Sequence, residues 1–384
     1  MNVLISLDGL SYKLFEQRAP RFVSHGYTYC KKLITTFPSV TFRAHAAAIT
    51  GNFADKHSVF DNVVSHVKSL ERIELYGDHD SICNEALHKQ TIFYSLARHD
   101  RTNCCIHWPL TTGNPYIQHL VTESGSKKKL QYTVSVDEID REALRETIQA
   151  IESKAYDFIA IRFIGYDALS HQYGKESLEA IQCLDRLFAH IEEIEDSIKT
   201  SGQPHNLILF SDHGQSDIES FFYPNKMLAQ SQWREQAADK QIRFVGDGSG
   251  ALLFYSTLDP QQNREIMDYF LGFPEVNQFY EVTGEGASVY KPVGILDLNH
   301  MVCGEDSGFS EQPKYTGMKS LHGYHPAQVD EMNGFMVCLG DQFEQGKRIE
   351  ESRLENIAPT IAHLFQISHH CDGTKIKDVI RECE

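Results

Sequence analysis

The sequence predicts an α/β fold in which a mostly parallel central sheet carries helices on both faces. Three short apolar runs have the composition of buried strands, and an aspartate follows each of them: residues 3–7 before Asp8, residues 158–164 before Asp167, and residues 207–210 before Asp212. Helical patterns lie between these runs, and strands that alternate with helices form parallel sheets. We therefore expect the three aspartates to meet at the carboxyl edge of one sheet, where such folds bind ligands.

The helices of this fold are predicted by periodicity and by end signals. The alanine-rich run that ends at Gly51 is typical of a short helix with Ser39 or Thr41 at its N-terminus. Residues 141–154 and 177–200 predict longer helices, the second of them strongly amphipathic.

Residues 52–136 and 216–320 are expected to elaborate this core. We interpret residues 216–320 as a cap over the site or an extension of the sheet, and the lysines at 127–129 as part of a solvated loop. The sequence contains neither an internal repeat nor a clear linker, so we expect a single domain over residues 1–384.

Composition restricts the partners. The 53 acidic and 36 basic residues give a net charge of −17, which would repel polymeric nucleic acid and anionic membrane surfaces. The nine cysteines include no CxxC pair, which favours reduced thiols. The strand-like start lacks the pattern of a signal peptide, and the sequence has no long apolar run. We expect a soluble, cytoplasmic protein of unspecified oligomeric state that acts on a small ligand and not on nucleic acid or membranes.

Two pairs of residues offer ligands for a metal ion. Asp167 and His171 are four residues apart, so a helix would place both side chains on one face, although a solvent-side hydrogen bond is the alternative. Asp212 and His213 follow a strand and precede a glycine, so they serve either two sites on opposite sides of the chain or an ordinary turn.

Asp8 and His322 complete the set. Asp8 precedes Gly9 and is subject to the same turn interpretation, whereas His322 gains weight only in the company of the other candidates. Together, three carboxylates and up to three imidazoles suit a pair of zinc ions, with manganese as an alternative.

Thr41 is the candidate nucleophile, and the helix that begins near it can hold a phosphoryl oxygen on free backbone N–H groups. A metal would activate its hydroxyl. The alternative is a plain N-cap residue. Arg43 either adds a charge-assisted bond to a phosphate or lies on the surface.

These segments resemble the alkaline phosphatase superfamily, and within it the nucleotide pyrophosphatase/phosphodiesterase branch. The resemblance rests on ordered motifs spread over nearly the whole chain: LDG at 7–9, TFPSVTFRAH at 36–45, KHSVFDN at 56–62, GYDALSHQYG at 165–174, FSDHGQSD at 210–217, HGY at 322–324 and a closing helix at 357–365.

The resemblance implies an alkaline-phosphatase-like catalytic domain over residues 1–384 with two divalent ions, most simply zinc. One ion would be held by Asp167, His171 and His322. The other would be held by Asp8, Asp212 and His213, with Thr41 bridging. Thr41 would form a covalent threonyl-phosphate that water then hydrolyses.

Three features of the sequence decide how far the resemblance extends to the substrate. Phe42 occupies the place where relatives often stack a nucleobase, or it belongs to the core. Ala44 stands where relatives often have an asparagine that holds a phosphoryl oxygen, a loss for which Arg43 would compensate. His325 and Pro326 replace the Asp-Asn pair that often follows HGY, and His325 either approaches the site or packs beside it.

The function predicted from the sequence is a metal-dependent phosphodiesterase or nucleotide pyrophosphatase. The first alternative is a phosphonate hydrolase or phosphomonoesterase of the same superfamily. An alternative from another class is a catalytically weak nucleotide-binding module, although carboxylates kept together without a cation would be costly.

Overall fold

A computed structural model describes residues 1–24, 26–77, 82, 84–130, 134–283, 288–308 and 311–381. The strands are β1 (Asn2–Leu7), β2 (Thr28–Ile34), β3 (Val63–Ser65), β4 (Arg72–Glu74), β5 (Asn103–Ile106), β6 (His119–Val121), β7 (Phe158–Phe163), β8 (Asn206–Phe210), β9 (Ser216–Asp217), β10 (Ser220–Phe222), β11 (Ile242–Val245), β12 (Ala251–Ser256), β13 (Val276–Glu281), β14 (Gly294–Leu298), β15 (Val302–Gly304), β16 (Ser320–Leu321), β17 (Gly334–Gly340) and β18 (Arg348–Arg353). The α-helices are α1 (Tyr12–Arg18), α2 (Thr41–Thr50), α3 (Ala54–His57), α4 (Glu85–His88), α5 (Ile92–Arg98), α6 (Glu123–Lys129), α7 (Val136–Ser153), α8 (Gly165–Tyr173), α9 (Leu178–Ser201), α10 (Pro224–Gln230), α11 (Arg234–Ala238), α12 (Pro260–Phe270) and α13 (Ile357–Leu364).

The central sheet confirms the predicted fold class. It has eight strands in the order β18-β2-β17-β8-β1-β7-β5-β6, and β17 alone runs antiparallel to its neighbours. The three predicted strands are the adjacent β8, β1 and β7, with Ser6 level with Phe210 on one side and Arg162 on the other. Their carboxyl ends therefore meet at one edge, as parallel pairing requires.

Helices cover both faces of this sheet because alternate residues of each buried strand point to opposite sides. On β1, Val3 and Ile5 pack in a core with α1, α7 and α9, whereas Leu4 packs on the other face with α2, α5 and α13. Within the described residues, none of the helices has both the length and the apolar character needed to span a membrane.

The region from 216 to 320 contains a second, antiparallel sheet in the order β11-β12-β14-β13. Its core includes Phe244, Phe254, Phe279 and Leu296, together with residues of α10 and α12. The opposite face of β12 packs on residues that follow α2, including Val63. This region therefore lies against the chain that leads away from Thr41.

The prediction of a solvated loop at residues 127–129 is wrong. These lysines form the last turn of α6, which begins after the N-cap Thr122. The Thr122 hydroxyl accepts the Gly125 N–H, and Lys127 pairs with Glu123 one turn earlier. Both are local helix signals that the run of like charges obscured.

Candidate active site

The ends of β1 and β8 bring two buried carboxylates together. Asp8 and Asp212 are both fully buried, and the Gly9 N–H donates to Asp212 Oδ1 at 3.1 Å. Gly9 has a φ of +74°, and a Cβ at this position would lie 2.7 Å from Asp167 Oδ1. The glycine therefore permits both the turn after β1 and the close approach of α8.

The first turns of α8 carry a second set of ligands. The chain is helical here, and Asp167 Oδ1 lies 3.5 Å from His171 Nε2. His171 Nδ1 faces the carbonyl oxygen of Ser320 at 2.8 Å. A proton on Nδ1 leaves Nε2, the nitrogen nearer Asp167, as the one that would bind a metal ion, as in many metal-binding histidines. His322 joins this pair, and the three candidate ligand atoms lie within 4.8 Å of one another.

Thr41 and His213 face the two buried carboxylates. His213 Nε2 is 3.1 Å from Thr41 Oγ1, 3.3 Å from Asp212 Oδ2 and 3.4 Å from Asp8 Oδ1. Asp8, Asp167 and His213 also offer ligand atoms within 4.8 Å of one another. Asp167 therefore stands between the two predicted ligand sets.

The hydrogen bonding of these residues fits metal ions. Asp8 Oδ1, Asp212 Oδ2 and His322 Nδ1 are buried and have no hydrogen-bond partner among the described residues. A buried carboxylate oxygen without a partner carries a large desolvation cost, which a cation would offset. Oxygen and imidazole nitrogen are the donors expected for zinc or manganese.

Burial is the largest influence on the pKa of Asp8, and the attraction of Arg162 is the next largest. Burial raises the pKa of its carboxyl well above the usual value; Asp212 and Asp167 add to that rise, and Arg162 opposes it. Burial also acts to raise the pKa of Asp167, but His171 and the other histidines hold that pKa well below its usual value. The site thus combines like charges that a bound cation would neutralise.

Thr41 does not serve as a helix cap. It is the first residue of α2, and the N-cap position belongs to Val40, which has no side-chain cap. The Ser39 hydroxyl is engaged elsewhere, since it donates to the Tyr324 carbonyl and accepts the Gly323 N–H. The Thr41 hydroxyl is therefore available to face His213.

A cavity of about 520 Å³ opens beside Thr41. Phe42 lines it and makes an edge-to-face contact with Tyr76, with ring centroids 5.3 Å apart. Phe42 is also largely buried in the core that α2 forms with β3 and the second, antiparallel sheet. Phe42 therefore belongs to this core and also lines the cavity.

Arg43 does not reach this cavity, and the prediction that it holds the substrate needs correction. Successive helical residues are about 100° apart, so Arg43 points almost opposite to Thr41. Its Nη1 donates to the Phe60 carbonyl at 3.1 Å, and the side chain lines a separate cavity. His325 lines that separate cavity too, where it packs beside Phe37.

Asn62, a residue that sequence reasoning missed, places a side-chain amide beside the first turn of α2. Asn62 Oδ1 accepts the Phe42 N–H at 2.9 Å, while Nδ2 donates to the Tyr76 hydroxyl at 3.1 Å. Tyr76 and Phe42 both line the catalytic cavity. No periodic signal links Asn62 to α2, since the contact is made between distant turns of the chain.

Arg162 is the second residue that the sequence analysis passed over. It lies on β7, binds Asp8, and approaches Glu123 at 3.4 Å, which in turn pairs with Lys127. A charged residue within a buried strand needs a partner, and this signal was present in the sequence.

His45, one turn after Thr41 in α2, contacts both the backbone of Thr41 and the side chain of Asp212. Its Nδ1 lies 2.8 Å from the Thr41 carbonyl oxygen and 3.2 Å from Asp212 Oδ2. His45 therefore ties the first turn of α2 to the end of β8.

Comparison with known proteins places these features in a family. The sequence model of the family described as type I phosphodiesterase/nucleotide pyrophosphatase matches residues 2–268. Bis(5′-adenosyl)-triphosphatase ENPP4 of Bos taurus is 21% identical over 392 residues, which cover 96% of this chain and 78% of that protein. Ectonucleotide pyrophosphatase/phosphodiesterase family member 1 of Homo sapiens is 25% identical over 206 residues, 52% of this chain and 22% of that protein.

Solved structures share the fold. Human ectonucleotide pyrophosphatase/phosphodiesterase 5 superposes with a TM-score of 0.78 at 16% identity, covering 99% of both chains. An inactive variant of the murine protein in complex with AMP gives 0.78 at 14% identity, again over 99% of both chains. The alkaline-phosphatase-like architecture thus extends over the full chain.

Proposed function

Because the chain belongs to the type I phosphodiesterase/nucleotide pyrophosphatase family, we propose that it is a metal-dependent phosphodiesterase that acts on a small, nucleotide-like phosphodiester. The single observation that carries the proposal is the convergence of Thr41 Oγ1, Asp8 Oδ1 and Asp212 Oδ2 on His213 Nε2, all within 3.4 Å. Two of these oxygens are buried without a partner among the described residues. A nucleophile placed among buried carboxylate and imidazole ligands is the arrangement that two-metal phosphoryl transfer requires.

Two divalent ions fit the two ligand sets, and zinc is the ion we propose. Asp167, His171 and His322 would hold one of them. The other would be held by the four residues that meet around His213 Nε2: Asp8, Thr41, Asp212 and His213 itself. When bound, these ions would lower the pKa of the Thr41 hydroxyl and neutralise charge on the phosphoryl oxygens.

Thr41 is the proposed nucleophile. Its Oγ1 forms a bond to phosphorus as the bond to the leaving alcohol breaks, which gives a threonyl-phosphate and the free alcohol. Water then hydrolyses the threonyl-phosphate, releases the phosphate monoester and restores Thr41. Since Thr41 begins α2, its own N–H has no acceptor within the helix and would donate to a phosphoryl oxygen, whereas the Phe42 N–H is already bonded to Asn62.

The residues around Thr41 orient the substrate in this proposal. Asn62 is held by the Phe42 N–H, and its Nδ2, which donates to Tyr76 and to Asp247, would exchange one of these bonds for a bond to a phosphoryl oxygen. Phe42 and Tyr76 would present aromatic surface to a nucleobase. The AMP complex of the murine relative supports a nucleotide-like substrate here.

The test is hydrolysis of bis(p-nitrophenyl) phosphate, p-nitrophenyl phosphate and the p-nitrophenyl ester of thymidine monophosphate. Zinc-loaded protein, chelated protein and Thr41→Ala are compared, with Thr50→Ala as the control. Thr50 lies at the other end of α2, where its hydroxyl donates to the Ala46 carbonyl. We expect the diesters to be cleaved faster than the monoester, chelation and Thr41→Ala to abolish turnover, and Thr50→Ala to retain it.

Two other results would contradict the proposal. Faster hydrolysis of the monoester would favour the phosphomonoesterase or phosphonate hydrolase alternative. Absence of turnover with zinc bound, combined with retained nucleotide binding, would favour a nucleotide-binding module.

The thymidine ester also tests whether Phe42 stacks on the nucleobase, because Phe42→Ala should slow cleavage of this ester and leave bis(p-nitrophenyl) phosphate nearly unaffected.

We also propose that the protein acts in the cytoplasm. The support is chemical: seven described cysteines are free thiols, and six of these are buried. Cys83 and Cys383 lie outside the described residues. Thiol titration of unfolded protein, prepared under conditions that block exchange, should return nine free thiols, and a disulfide would contradict this location.

A further inference from the structure

Arg43 lines a second cavity, on the side of α2 that faces away from Thr41. This cavity has a volume of about 530 Å³, within the usual range for small-molecule sites. We call it the Arg43 cavity and define it by six of its lining residues: Phe37, Arg43, Phe53, His57, Arg353 and Glu355. None of these residues belongs to the catalytic site described above.

The Arg43 guanidinium has few partners. It makes one hydrogen bond, from Nη1 to the Phe60 carbonyl, and its Nε is buried without a partner among the described residues. Within the same residues, no carboxylate forms an ion pair with it, and burial outweighs three more distant carboxylates, Asp61, Glu355 and Asp55, so that the pKa of Arg43 falls to about 10. A largely buried cation without an anion in contact is costly to maintain.

His57 adds a second unpaired donor to the wall of the cavity. Its ring is 2% exposed, and Nδ1 accepts the Val59 N–H at 3.1 Å. A neutral ring with an accepting Nδ1 carries its proton on Nε2, and this Nε2 has no partner among the described residues. Burial, and then the nearby charge of Arg43, lower the pKa of His57 to about 3, so the ring is neutral at physiological pH.

The other charges of the cavity are already matched or lie in solvent. Arg353 pairs with the buried Glu355 at 3.3 Å, and Lys32 pairs with Asp330 at 2.6 Å. Glu351 also lines the cavity, but it is solvent-exposed. Of the three basic residues that line the cavity, Lys32 and Arg353 have ion-pair partners among the described residues, and Arg43 does not.

Aromatic surface accompanies this cation. Phe53 is 46% exposed at the cavity, with the Arg353 guanidinium 5.7 Å from its ring centroid. Phe37 lines the cavity beside His325, with ring centroids 4.7 Å apart. The cavity therefore offers apolar surface for a flat group whose charged end meets Arg43.

We propose that the Arg43 cavity binds a small organic anion, a carboxylate or phosphate group carried on a flat apolar body. The anionic group accepts hydrogen bonds from the Arg43 guanidinium, whose planar fork matches either oxyanion. The apolar body packs against Phe37 and Phe53. This site is separate from the catalytic cavity, so its occupancy does not depend on the proposed function.

The test is ¹⁹F NMR of 4-fluorobenzoate and, separately, 4-fluorophenylphosphonate, each titrated with the zinc-loaded full chain. The two probes distinguish a carboxylate from a phosphate ligand. Arg43→Met is compared with wild type, and Arg243→Met is the matched control. Arg243 also donates to a single backbone carbonyl, that of Leu70, and lines a different cavity.

We expect at least one probe to bind the wild-type protein, and Arg43→Met to weaken that binding by about tenfold or more. Arg243→Met should bind as the wild type does.

A second variant keeps the proposal falsifiable if Arg43→Met does not fold. Ala327 is exposed and lines the cavity, so Ala327→Trp should obstruct it and weaken binding of the same probe without touching Arg43. Equal binding by wild type and either of these folded variants would place the anion elsewhere and overturn the proposal. Absence of binding of both probes to wild type would overturn it as well.

Discussion

The guanidinium of Arg162 binds a single carboxylate oxygen, Asp8 Oδ2, through both Nε and Nη2 at 2.5 Å. The other oxygen, Asp8 Oδ1, is left facing His213 at 3.4 Å. Arg162 thus divides the carboxylate into a structural oxygen and one available to a cation. Because both side chains are almost entirely buried, this pair is sensitive to the loss of either partner.

Arg162→Met should destabilise the metal-free protein by about 3–5 kcal/mol, since it leaves a buried carboxylate without its counter-charge. Added zinc should recover part of this loss, because the ion then compensates Asp8. Denaturant unfolding with and without zinc measures both effects. The control is Arg186→Met, which breaks a more exposed pair with Asp137 and should cost about 1 kcal/mol or less. An equal loss with and without zinc would show that Arg162 does not act through the metal site.

Asp140→Ala should weaken the site from a distance. Asp140 is buried on α7, and its two oxygens accept the N–H groups of Ile164 and Gly165 at 2.9 Å each. These groups begin α8, which carries Asp167 and His171. Their loss should cost about 2 kcal/mol of stability and lower the zinc affinity, as judged by thermal unfolding and chelator competition.

The control for that variant lies on the same helix. Asp137→Ala removes two ion pairs at the surface of α7, with Arg141 and Arg186, and should change zinc affinity little. If Asp140→Ala lowers stability but leaves zinc affinity unchanged, α8 is positioned by its other contacts.

The strand ends were predictable because burial and position act together there. Uninterrupted apolar runs predicted β1, β7 and β8, and parallel pairing then required Asp8 and Asp212 to be close. The spacing of Asp167 and His171 predicted a shared helix face for the same kind of local reason.

The sequence predicted less well which side chains of α2 face the site and which residues contact this helix. The sequence left Arg43 between a bond to a phosphate and a place on the surface, because residue type alone does not fix the direction of its side chain. In the structure it lines the cavity on the side of α2 opposite to Thr41. Asn62 was missed because its bond to the Phe42 N–H is a tertiary contact without a local pattern.

Asn62→Ala should lower kcat/KM for a phosphodiester by about 10²–10³, the usual effect of removing a fixed donor to a developing oxyanion. Zinc affinity should be unchanged, because the side-chain partners of Asn62 are the Phe42 N–H, Tyr76 and Asp247, and none of these is a proposed zinc ligand. Steady-state kinetics and chelator competition measure the two quantities. Asn52→Ala is the control, since Asn52 donates to Gln90 away from the catalytic cavity. Parallel losses in activity and zinc affinity would instead assign Asn62 a structural role.

Zinc binding should release protons, and its affinity should rise with pH. Burial acts to lower the pKa of His171, but the adjacent Asp167 carboxylate outweighs it and raises this pKa to about 9. Without metal, His171 is therefore protonated at pH 7.5 and must lose that proton to coordinate zinc. Its contribution should raise zinc affinity by about tenfold per pH unit from pH 7 towards 9, and then level off. The raised pKa of Asp8 acts in the same direction.

Chelator competition from pH 7 to 9.5 measures the slope, and calorimetry in two buffers of different ionisation enthalpy counts the protons. The ring of His171 should account for the slope between pH 7 and 9, so His171→Asn should bind zinc more weakly and with a flatter pH profile. His99→Gln is the matched control, because His99 also bonds a backbone carbonyl, that of Ser95, outside the site. A wild-type affinity independent of pH over this range would mean that His171 is already neutral, and so that Asp167 does not hold its proton.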